Sequence, residues 1–109
     1  MELQKHKMRY QLQKGDYRLL WLLMTPEEIA KEFGEHSQSP RTIRRLFSKI
    51  SPARARLLRK QMVRKIEALI PPNEDPKKWL ETELESQRQE AVNGIWERIK
   101  KTEKQWDSI

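Results

Sequence analysis

The chain has no cysteine among its 109 residues, which excludes disulfides, thiolate nucleophiles and thiolate zinc sites. Glycine is scarce: Gly15, Gly34 and Gly94 lie too far apart to build a phosphate-cradling loop. The two histidines, His6 and His36, lack any partner at metal-ligand or general-base spacing, and both are expected on the surface. No serine stands in a nucleophile elbow or a triad spacing. The longest apolar run, "LLWLLM" at residues 19–24, is far too short to span a bilayer. The N-terminal "MELQKHKMRYQLQ" contains no apolar stretch resembling a signal peptide. These absences lead us to expect a non-enzymatic protein of the cytoplasm, with no cofactor, no metal and no membrane partner.

One further absence carries more information. From His36 to Ile66 there is no acidic residue, although the whole chain holds 16. Ten Lys or Arg side chains fall in residues 39–65 alone. From Asn73 onward the balance differs, with nine acids mixed among seven bases. The formal net charge is +7, and apolar and charged residues each make up 36% of the chain. That composition fits a modest core carrying long solvated helices. The segregated charge points to a polyanionic partner or an acidic protein surface.

Four dipeptides mark helix starts: Thr25-Pro26, Ser39-Pro40, Ser51-Pro52 and Asp75-Pro76. In each, the first residue can accept a bond from an orphan backbone N–H. The proline takes the first helical position, where its missing donor costs nothing. Glu28, three residues after Thr25, completes a capping box. A short helix "PEEIAKEF" is expected to end at Gly34, with Ile29, Ala30 and Phe33 on one face. The next, from Pro40 to Ile50, carries Ile43, Leu46, Phe47 and Ile50 as a buried stripe. Arg41, Arg44, Arg45, Ser48 and Lys49 remain to point outward. The third helix aligns Leu58, Met62, Ile66 and Leu69, with Arg56, Lys60 and Arg64 recurring on the opposite side. Arg59 falls near the apolar face and is expected to snorkel. Pro71 and Pro72 stop this helix.

Before Thr25 the pattern is mixed. Asp16 can cap a helix through "YRLLWLLM", whereas Met8, Tyr10 and Leu12 alternate at the period of a strand. Helix is the preferred reading, with a break at Gly15. The C-terminal segment from Pro76 to about Trp106 spaces Leu80, Leu84, Ala91, Ile95, Ile99 and Trp106 along one face of a long amphipathic helix. Asn93-Gly94 weakens it, and a kink or break is expected there. Of the four tryptophans, Trp21, Trp79, Trp96 and Trp106, core or interface packing is the expected use, in preference to stacking on single-stranded bases.

The pair "TPEEIAKEFG" and "SPRTIRRLF" resembles the helix-turn-helix of bacterial and phage DNA-binding regulators and recombinases. The resemblance covers residues 25–50, about a quarter of the chain. It implies that the helix from Pro40 enters the major groove of double-stranded DNA. Arg41, Thr42, Arg44 and Arg45 would then read bases or clamp phosphates, since the planar fork of arginine suits either task. The chain departs from the motif at "EHSQ", which makes the connection longer than the usual turn of roughly three to four residues.

The resulting expectation is an all-α protein, a small helix-turn-helix bundle of three to four helices with a long C-terminal amphipathic helix. Residues 1–72 would form the basic domain and residues 73–109 the helix for oligomerisation or partner docking. The nucleic-acid surface would comprise Arg41, Thr42, Arg44, Arg45, Ser48, Lys49, Arg54, Arg56, Lys60 and Arg64. A homodimer would pair through Leu84, Ile95, Trp96, Ile99 and Trp106. A basic adaptor or inhibitor docking on an acidic protein surface, and an RNA-binding protein, are the alternatives.

Overall fold

The computed structural model describes residues 9–108. His6 and Met8, which entered the sequence expectations, lie outside that range. Five α-helices follow one another: α1 (Lys14–Leu20), α2 (Pro26–Phe33), α3 (Pro40–Leu46), α4 (Pro52–Glu67) and α5 (Pro76–Asp107). A 3₁₀ turn, Gly34–His36, joins α2 to α3. No strand occurs among the described residues. The protein is all-α.

The four marked starts form as their residues dictate. Thr25, Ser39, Ser51 and Asp75 each accept a backbone N–H from two or three residues downstream, and a proline follows each one. In α2 the capping box closes in both directions, Glu28 N–H to Thr25 at 3.2 Å and Thr25 N–H to Glu28 at 3.0 Å. Gly34 ends this helix at φ 53°, a conformation that a Cβ would strain even though open space surrounds it.

Several boundaries differ from the sequence expectation. α1 ends at Leu20, short of Met24. α4 ends at Glu67, which leaves Leu69, assigned to its apolar face, 70% exposed. α1 starts at Lys14, so Asp16 lies inside the first turn and Gly15 is helical. Asp16 nevertheless serves that start, because its carboxylate accepts the Gln13 backbone N–H at 2.7 Å. α3 stops at Leu46, well short of Ile50. Phe47 leaves helical geometry and stacks on Trp21 with ring centroids 4.9 Å apart. Ser48 then bonds back to the Arg45 carbonyl through both its N–H and its hydroxyl. α5 runs unbroken through Gly94, contrary to the expected kink.

Residues 9–13 are extended without joining a sheet. Tyr10 and Leu12 are buried and Gln11 is exposed, so the period-two pattern was the informative one, and the helix preferred there does not extend so far back. The segment is strapped at both sides. Leu12 N–H bonds to the His36 carbonyl at 2.8 Å, and Tyr10 N–H to Glu103 of α5 at 2.8 Å.

The core gathers Tyr10, Leu12, Leu20, Ile29, Phe33 and Ile43 with Val92, Ile95 and Ile99 of α5. Packing therefore runs across the boundary expected at residues 72–73, and the distal half of α5 belongs to the same core as α1–α3. Α helix of 32 residues extends about 48 Å, so the proximal half of α5 must reach beyond that core. There it packs against α4, whose only buried residue is Ile66. The result is an elongated molecule of 63 × 32 × 18 Å. Its radius of gyration is 17.3 Å, against about 13 Å for a compact domain of this length.

Candidate nucleic-acid interface

The acid-free segment folds into α3, the turn at residues 47–51 and α4. All ten of its Lys and Arg residues are exposed. Among the described residues, only Arg44 makes an ion pair, with Glu27 of α2. Arg59 lies over the Trp21 ring at 5.5 Å, the snorkelling expected of it turned into a cation–π contact. Its ten cations exceed the net charge of +7, so the rest of the chain is acidic overall.

The helix ends reinforce this polarity. α2 begins with Glu27 and Glu28, which complement the positive end of the helix dipole. Neither α3 nor α4 has an acid in its first turn. Arg41 and Arg54 sit there instead, adding charge of the same sign as the dipole end. An approaching anion would relieve both.

The expected site residues divide on the structure. Arg41, Arg44 and Arg45 lie on α3, and Arg54, Arg56, Lys60 and Arg64 on α4. Thr42 is half-buried, and its hydroxyl sits 3.0 Å from that of Ser39, so it serves the cap. Ser48 and Lys49 are not on a recognition helix at all, because α3 ends at Leu46. They occupy the turn leading to α4, where the Ser48 hydroxyl is held by the Arg45 carbonyl. The stripe assigned to hold α3 is also narrower than expected. Ile43 is buried, Phe47 and Ile50 are half-buried, and Leu46 is exposed.

The long "EHSQ" connection has a structural purpose that spacing did not reveal. His36, expected on the surface, is 6% exposed. Its Nδ1 is 2.8 Å from the Tyr10 carbonyl, an acceptor only, so Nδ1 carries the proton. The Trp96 ring meets it edge-on at 5.3 Å. Glu35, beside it, pairs with Arg9 at 3.3 Å. The added length thus pins the α2–α3 connection to the N-terminal strap and to α5.

The expected dimer surface requires correction. Ile95 and Ile99 are each 1% exposed inside the chain's own core. Trp96 stacks on Phe33 at 5.3 Å and Trp106 on Tyr10 at 6.4 Å. The distal face of α5 is occupied by α1, α2 and the strap. Of the five residues, Leu84 alone lies outside that core cluster, half-buried on the proximal half of the helix.

Sequence reasoning missed a second polar feature. Asp16 is 3% exposed and receives the Tyr10 hydroxyl at 3.3 Å and Arg98 Nη1 at 2.5 Å. The Tyr10 hydroxyl and then the Asp16 charge raise the pKa of Arg98 above its ordinary value. Arg88 is raised likewise, chiefly by its bond to Glu85. Glu28 is held below the ordinary carboxylate range, first by the Thr25 backbone N–H. No local pattern announces the Asp16–Arg98 pair, whose members are 82 positions apart.

Among the described residues, no three His, Asp or Glu side chains gather as a metal site would require, and no helix is long and apolar enough to cross a membrane. No protein-family model, curated protein or solved structure matches the chain.

Proposed function

We infer that the chain is a DNA-binding protein of the helix-turn-helix kind, a regulator or an accessory factor, and that it has no catalytic role. α3 supplies contacts in the major groove through Arg41 and Arg45, and α4 clamps phosphates through Arg54, Arg56, Lys60 and Arg64. One observation carries this reading: ten exposed cations on consecutive elements, of which Arg44 alone is neutralised among the described residues. Elsewhere the chain places acids beside its bases, so an uncompensated block of this size calls for a partner that brings the negative charge. A duplex supplies it densely, one charge per roughly 1.7 Å of axis.

An acidic protein surface is the second reading. Leu46 and Leu57, 39% and 52% exposed among these cations, favour it, because apolar side chains gain little beside phosphates. RNA is the third partner. A competition experiment at fixed salt separates them, with labelled duplex DNA displaced by unlabelled duplex, single strand or structured RNA. Duplex is expected to compete best. Failure of the free chain to bind any of the three, with co-purification of an acidic protein, would replace the DNA reading with the adaptor one.

A further inference from the structure

α4 contributes nothing to the main core cluster; together with the proximal half of α5 it forms a two-helix arm. Two antiparallel helices cover only one side of each other, and the arm shows the consequence. Leu22, Leu23, Met62, Val63 and Leu84 are all merely half-buried. They line an open groove of about 360 Å³ between α4, α5 and the bend after α1. A second hollow, of about 440 Å³, follows towards the arm's end over Ile70, Pro76 and Leu80.

The rim of the groove carries both signs of charge, Arg59 and Arg88 beside Glu81 and Glu85. The two helices of the arm are themselves opposite. α4 has six cations and one acid, and residues 76–90 of α5 have four acids and three cations. Such a surface is self-complementary about a two-fold axis, which brings the acidic helix of one copy onto the basic helix of the other. The chain also has surface to give. It exposes 8606 Å², roughly 2,200 Å² more than the ~6,400 Å² expected for a compact monomer of 13.2 kDa. A standard interface covers about 800 Å² on each partner.

We propose that a second copy of this chain occupies the groove, with the two arms packed as a four-helix unit and α4 of each protomer against α5 of its partner. Met62, Val63 and Leu84 form the apolar centre, and Glu81 and Arg59 form the charged rim. Lys60 and Arg64 are each two residues from Met62 and so project from the far side of α4, clear of the contact. The pairing stands independently of the DNA reading, since it forms in the free chain.

Sedimentation velocity of the full chain over a concentration series, without nucleic acid, tests it. The wild type is expected to pass from monomer to dimer, and its melting temperature to rise with concentration as a dimer's must. Met62→Glu should abolish the dimer, and Leu57→Glu, on the outer face of α4, should retain it. Glu81→Lys alters an exposed residue that the fold does not need. It should weaken self-association at low salt by up to about fivefold. A wild type that stays monomeric, or dimerises only when DNA is added, overturns the proposal. So does a dimer that survives Met62→Glu in a helical protein, or one indifferent to Glu81→Lys.

Discussion

Arg98 on α5 and Arg64 on α4 are both exposed arginines on long helices, yet only one has a carboxylate to hold. Arg98 reaches the buried Asp16 at 2.5 Å and ties α5 to the start of α1. Arg88, on the same helix, bridges Glu28 at 3.2 Å and Glu85. None of the six cations on α4 meets a carboxylate among the described residues. The apolar residues divide in the same way. α5 buries Val92, Ile95 and Ile99, whereas α4 buries Ile66 alone. Arg88 and Arg98 of α5 therefore belong to the fold, and the cations of α4 remain available to a partner.

The largest test of that contrast is truncation of apolar residues. Ile95→Ala, at a site 1% exposed, is expected to cost about 3–4 kcal/mol in chemical denaturation. Leu57→Ala, 52% exposed on α4, should change stability by no more than about 0.5 kcal/mol. Equal losses at the two sites would erase the distinction between the helices.

Polar truncation should rank next. Asp16→Ala leaves the Gln13 N–H, the Tyr10 hydroxyl and Arg98 without their common acceptor. A loss of about 2–3 kcal/mol is expected, moderated because Arg98 itself can turn to water. Lys60→Ala with Arg64→Ala should leave the same denaturation curve in place.

Gly94→Ala sharpens the account of α5 in the opposite direction. The glycine sits mid-helix, and a Cβ there would meet nothing within 4 Å. A gain of about 0.5–1 kcal/mol is expected in the same assay. A loss would mean that the helix bends or makes a contact at this position.

The smallest effect concerns pH. The folded-state pKa of Glu28 lies below its unfolded value, chiefly through the Thr25 N–H, with a further contribution from Arg88. Its contribution to stability is therefore complete above the unfolded carboxylate value and is lost as pH falls through the lower folded one. The side chain is 46% exposed, so the effect is modest. Glu28→Gln should make the acid-side decline of the melting temperature shallower while leaving neutral and alkaline behaviour parallel to wild type.

Local chemistry was legible in the sequence, and distant partnerships were not. Pro26, Pro40, Pro52 and Pro76 each stand at the start of a helix, because a cap and a proline act on the same few backbone atoms. The all-α class and the outward position of the cations followed from those starts and from periodicity. The end of α3 was missed, since it depends on Phe47 stacking with Trp21, which a helical count cannot see. The distal face of α5 was assigned to a partner because its apolar spacing is identical whether a second chain or α1 covers it. His36 was read as a surface residue and Asp16 only as a helix cap, although each is buried by groups far along the chain. In both cases the compensating partner, the Tyr10 carbonyl or Arg98, became visible only in three dimensions.

The central claim is that the α3–α4 cations meet phosphates, and the salt dependence of duplex affinity addresses it most directly. Binding of a labelled duplex would be followed by anisotropy across a salt series for wild type and for Arg54→Ala, Arg56→Ala, Lys60→Ala and Arg64→Ala combined. If these four contact phosphates, the slope of log affinity against log salt should fall by about 0.9 for each, roughly 3.6 in all. Stability should be unchanged. A wild-type slope near zero, or an equal slope in the quadruple variant, would contradict the account.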